Sequence, residues 1–95
     1  MQIGCLKIEF YLHGVFSLKE KRNIANSIKQ KLRNKFNISV AEVESQDSLT
    51  RLVLGVVTVG NNGRVIQTAL DNVLNFLERV TSEEITDTTI EIFSV

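Results

Sequence analysis

The chain has 95 residues, 11 basic and 11 acidic, with 43% apolar content, one cysteine, no tryptophan and no proline. That length holds one domain, 1–95, with room for one core. A single cysteine excludes an internal disulfide, a cysteine-ligated iron–sulfur cluster and a Cys-rich zinc site. Met1 to Leu12 alternates polar and apolar residues and so lacks a signal-peptide core, and no apolar run approaches the ~20 residues of a membrane span. The expected location is cytoplasmic.

Gln2 to Leu12 reads as a strand. Leu6, Ile8, Phe10 and Leu12 share one face; Cys5, Lys7, Glu9 and Tyr11 share the other. Cys5 has no helix start or cationic cluster beside it and reads as a structural thiol. His13 stands at the strand end with no partner at ligand spacing, so no metal site is expected.

Gly14 breaks the strand, and Ser17-Leu-Lys-Glu20 follows. Ser-x-x-Glu is a capping box: the hydroxyl accepts from the amide three residues on, and Glu20 reaches back to the Ser17 amide. A helix from Leu18 to Phe36 is predicted, with Leu18, Ala25, Ile28, Leu32 and Phe36 as its buried stripe and Asn37 as a left-handed stop. Lys21 points near that stripe, where its stem packs and its ammonium meets water or a carboxylate.

Charge is not evenly spread. Ser17 to Phe36 carries seven basic residues against Glu20 alone, and the rest of the chain holds four basic and ten acidic residues. At 100° per residue, Lys19, Arg22, Asn26, Lys29 and Arg33 fall along one flank. Lys19, Arg22, Lys29 and Arg33 are therefore the candidate phosphate- or partner-binding residues. The competing reading is a solvated face neutralised by the chain's own carboxylates.

Ile38 to Glu44 reads as a second strand, with Glu42 and Glu44 expected on one face as salt-bridge partners. Ser45-Gln-Asp-Ser48 is a hairpin loop. Leu49 to Val59 is a third strand, apolar on both faces and therefore central. Gly60-Asn-Asn-Gly63 breaks the run, and one asparagine caps a second helix, Arg64 to Val80. A last strand covers Glu83 to Val95, with Ile90 and Ile92 towards the core and Glu91 and Phe93 away from it.

The order β-α-β-β-α-β, with two long crossovers and one short hairpin, predicts an α+β, ferredoxin-like fold: a four-stranded antiparallel sheet with both helices on one face. The other sheet face stays uncovered. Ile3, Cys5, Tyr11 and Phe93 are the candidate residues of a homo-oligomer interface there.

At Ser17-Leu-Lys-Glu-Lys-Arg22, then Phe36-Asn-Ile-Ser-Val-Ala-Glu-Val43 and Gln46-Asp47, the chain resembles the YlxP-like family, small bacterial proteins of unknown function. Leu54-Gly55, Asn61 and Phe76-Leu-Glu78 also fit. The resemblance implies a ferredoxin-like fold. The family's genes often sit beside translation and ribosome-maturation genes, which implies a role near RNA or the ribosome. Family members often carry a tryptophan in the hairpin after Gln-Asp; Ser48 and Leu49 stand there here. The resemblance supplies no catalytic residues.

Three functional classes remain. The leading one is a non-enzymatic binding protein for RNA or the ribosome, with no cofactor and no metal. The second is a protein–protein interaction or oligomeric module without a nucleic-acid role. The third, an acylphosphatase-like hydrolase, is suggested by Gly14-Val-Phe16, but Ser17 follows where that chemistry needs an arginine.

Overall fold

Six elements alternate in the computed structural model, which describes residues 1–95: β1 (Gln2–Tyr11), α1 (Leu18–Lys35), β2 (Ser39–Glu44), β3 (Arg51–Gly60), α2 (Gly63–Val80) and β4 (Glu84–Ser94). The strands form one sheet in the order β2-β3-β1-β4, every neighbouring pair antiparallel. This is the ferredoxin-like arrangement expected from the sequence. The two most apolar strands take the centre.

The core lies between the sheet and the helices. Leu6, Ile8, Phe10 and Leu12 meet Leu52, Leu54 and Val56 from the sheet, Ala25, Ile28 and Leu32 from α1, and Ile66, Leu70, Val73 and Leu77 from α2. At Gly4 the sheet approaches α2 closely: a Cβ there would overlap Ile66 Cγ2 and stand 3.1 Å from Leu70 Cδ1. Phe36 and Phe76 close one end of the core edge to face, with ring centroids 5.5 Å apart.

Both helices are capped by side chains. Glu20 N donates to Ser17 Oγ at 3.1 Å, and Asn62 Oδ1 accepts from the Arg64 and Val65 amides. The return bond of the first cap differs from expectation: Glu20 Oε2 accepts from Phe16 N at 3.1 Å, one residue upstream of Ser17. The stop of α1 also differs. Phe36 turns extended (φ −127°) while its amide still bonds Leu32 O, so the helix ends one residue early. Asn37 has no positive φ, and its carbonyl accepts from Thr58 Oγ1. Pulling the chain straight into β2 outweighs the left-handed cap.

A second difference lies in β2. Glu42 pairs with Leu54 and Glu44 with Val53, with an irregularity between them at Val43. Leu54 faces the helices and Val53 the open side. The bulge inserts one residue and so places the two glutamates on opposite faces. The expectation of a shared face fails for that reason. Both are ion-paired, as expected.

Candidate nucleic-acid interface and open sheet face

The basic helix divides its cations into two sets. Lys21 turns inward. Its side chain is 2% exposed, its ammonium donates to Ser45 O at 2.6 Å, and Glu42 Oε2 lies 3.0 Å away. That carboxylate oxygen is buried and makes no aligned hydrogen bond, so the contact is ionic. Ser45, at the start of the hairpin, takes the left-handed conformation (φ 58°), and its carbonyl accepts from both the Ser48 amide and Lys21 Nζ.

The outer flank is different. Lys19, Arg22 and Arg33 are exposed and Lys29 is half-buried. None of the four forms an ion pair; the pairs in this chain use Lys7, His13, Lys21 and Arg51. Arg33 does spend one bond internally, Nη2 to Val40 O at 3.0 Å, which ties its guanidinium to β2. Beside this flank a hollow of about 330 Å³ separates α1 from the hairpin, lined by Arg22, Asn26 and Lys29 on one wall and by Glu42, Gln46 and Asp47 on the other. Lys31, on the opposite flank, reaches Val80 O at 3.4 Å.

On the far side of the sheet, Ile3, Cys5, Tyr11 and Phe93 all lie on the uncovered face, as the alternation of β1 and β4 requires. The sequence reading left open which β3 side chains join them. Val57 and Val59 stand beside Cys5 and Ile3, and Val43 projects from the bulge; all three are exposed. Their signal was present in the two-sided apolar run of β3, but pairing register was needed to assign it.

The same face has a charged end. Arg51 donates to Glu9 through Nε at 2.6 Å and Nη2 at 3.2 Å, and lies 3.5 Å from Glu44. Lys7 Nζ donates to Glu44 at 3.0 Å. Val53, on this face between Glu9 and Glu44, is 0% exposed although it lies outside the main core. These long side chains roof it. The hydrogen bond from Arg51, with its positive charge, holds the Glu9 carboxyl below its usual range and raises the guanidinium pKa in return.

His13 gains a partner that spacing did not reveal: Glu84 Oε1 lies 3.0 Å from its Nε2, and the Tyr11 ring meets it edge on. Cys5 is a half-buried free thiol. Ser17 Oγ is occupied as the α1 cap. No helix is long and apolar enough to cross a membrane.

A family described as "Protein of unknown function (DUF503)" matches residues 3–90. The chain belongs to the DUF503 family. It is 33% identical over 91 residues, 96% of this chain and 99% of the other, to the uncharacterized protein YlxP of Bacillus subtilis. Among solved structures, this DUF503 chain is similar to SnoaB, a cofactor-independent oxygenase from Streptomyces nogalater, with TM-score 0.52, 12% identity, and 99% and 92% of the two chains covered. It is also similar to a Dabb family protein with a ferredoxin-like fold from Mesorhizobium loti, with TM-score 0.47, 14% identity, and 99% and 96% covered. At 12% identity the likeness to SnoaB extends to the fold alone.

Proposed function

We propose that this protein is a non-enzymatic, cytoplasmic binding protein that holds RNA by its phosphate backbone through the outer flank of α1. What carries the reading is the division of cations. Lys7, Lys21 and Arg51 are matched to the chain's own carboxylates, whereas Lys19, Arg22 and Lys29 share one helix flank and match none. From Lys19 to Arg33 the flank runs about 21 Å, enough to follow several phosphates of one strand. Ribosomal RNA is the target class that the gene neighbourhood of the resembling family favours.

Base stacking on the sheet is not the mode. An RNA-recognition sheet offers aromatics on its central strands, and β3 has none from Arg51 to Gly60. The open face also carries Glu9, Glu44, Asp87 and Glu91, which repel a polyanion.

A structured ribosomal RNA fragment, titrated at low salt, tests the reading. Binding that Arg22→Glu with Lys29→Glu abolishes is expected. No binding, or binding that the reversal leaves intact, overturns it. The hydrolase alternative predicts turnover of a generic acyl phosphate, and none is expected.

A further inference from the structure

We propose that the open sheet face is a homodimer interface whose twofold axis passes beside Cys5 and seats each Phe93 in the partner copy's hollow at Gly55. This rests on the sheet face alone and is independent of the RNA reading, which concerns the opposite side of the molecule.

Phe93 and the hollow lie on the same patch. The hollow, about 290 Å³, is walled by Cys5, Lys7, Val43, Val57, Thr89 and Glu91 beside Gly55. Gly55 has no side chain, which lets Val43 lean over it as that wall; a Cβ there would stand 2.8 Å from Val43 Cγ1. Phe93 projects from β4 with nearly half its surface exposed, at 45%. A twofold contact requires one patch to carry both projection and recess, and this patch does.

Register fixes where the axis must run. Phe93 pairs with Ile3, two residues before Cys5 and one strand towards β4. Gly55 pairs with Lys7, two residues after Cys5 and one strand towards β3. Cys5 is thus the midpoint of the diagonal from projection to recess. With strands about 4.8 Å apart and residues about 3.3 Å apart, the only in-plane twofold that exchanges the two crosses the strand sets at about 110°. That is close to the orthogonal class of sheet packing.

The same operation makes two further matches. Ile3 falls on Val57 of the second copy, apolar on apolar. Lys7 falls beside Glu91 of the second copy. Glu91 is exposed and has no ion-pair partner within its own chain. The charged end, with Glu9, Arg51 and Tyr11, lies outside the overlap.

Charge favours a second copy over other occupants. With the strand sets crossed at about 110° and the charged end excluded, the shared plane is about 350 Å² per partner, below the ~800 Å² of a standard interface, so the dimer is a weak one. On this face Glu9, Glu44, Asp87 and Glu91 outnumber the cations Lys7 and Arg51, so nucleic acid and anionic lipid are repelled there.

The test uses the full chain at about 100 μM, with mass by light scattering, because assembly depends on protomer concentration. A dimer is expected. Phe93→Asp should give a monomer with an unchanged circular dichroism spectrum and unchanged RNA affinity, and Tyr11→Ser should remain dimeric. Lys7→Glu and Glu91→Lys should each raise the dimer dissociation constant about tenfold, and the double exchange should recover it. Cys5 should react with a thiol reagent at least about tenfold more slowly in the dimer than in the Phe93→Asp monomer. A wild-type monomer, a dimer that survives Phe93→Asp, or RNA binding lost with that variant would each overturn the assignment.

Discussion

Lys21 Nζ stands 3.0 Å from Glu42 Oε2, with the lysine side chain 2% exposed and the glutamate 18% exposed. The pair joins the first turn of α1 to edge strand β2, and the same ammonium holds the hairpin through Ser45 O. Removing the lysine alone leaves a buried carboxylate oxygen unmatched, while Ser45 O keeps only its bond from the Ser48 amide. Lys21→Met should therefore destabilise the fold by about 3 kcal/mol, and Lys21→Met with Glu42→Leu by clearly less, because the apolar pair leaves no orphaned charge. Urea midpoints of the two variants decide it. Equal losses would show that the ion pair itself carries the stability.

The cap of α1 gives a smaller effect. Ser17→Ala removes the bond to the Glu20 amide and should cost about 1 kcal/mol. Glu20→Ala removes the bond from Phe16 N and one charge from the positive end of the helix, and its cost should couple with that of Ser17→Ala. A double-mutant cycle with strict additivity would show that the two bonds do not act as a box.

Gly4 is a packing constraint. Gly4→Ala drives a methyl into Ile66 and should destabilise by about 1–3 kcal/mol, since a filled core has no room to yield. Combining it with Ile66→Ala should cost less than the sum of the two singles. A thermal melt in which Gly4→Ala matches the wild type would refute the close approach of β1 and α2.

Acid stability should follow Glu9. Its folded pKa is depressed below 4.5, first by the Arg51 hydrogen bond. A depressed carboxyl contributes stability above its unfolded value and loses it as pH falls through the folded value. The Arg51–Glu9 contribution should thus be present at neutral pH and fade below about pH 4.5. Arg51→Met should flatten that acid arm of the stability curve. An arm unchanged in Arg51→Met would assign it to other carboxylates.

Salt dependence reports how many phosphates the α1 flank neutralises. Four cations, Lys19, Arg22, Lys29 and Arg33, imply a log–log slope of about −3 on single-stranded RNA, or about a 50-fold loss from about 50 to about 200 mM salt. Arg22→Glu should reduce the slope by more than Lys31→Glu on the opposite flank. Equal effects at both positions would mean diffuse attraction without a binding flank.

Local periodicity was enough to read the element order, the sheet's open face and the basic flank. The twofold alternation of Leu6, Ile8 and Phe10 and the helical repeat of Ala25, Ile28 and Leu32 depend only on near neighbours. Lys19, Arg22 and Lys29 were legible for the same reason. Arg33 was not wholly so, because its bond to Val40 O depends on where β2 lies.

The α+β class, the apolar stripes and the cation-rich crossover are thus written in spacings of two to four residues. Long-range pairing, by contrast, brings Lys21 to Glu42, parts Glu42 from Glu44, brings His13 to Glu84, and sets Phe93 and Gly55 on either side of Cys5 on one surface. Each of these depends on strand register. Register is set by pairing between distant segments and by a bulge at Val43, and a shift of one residue moves a side chain to the opposite face of the sheet.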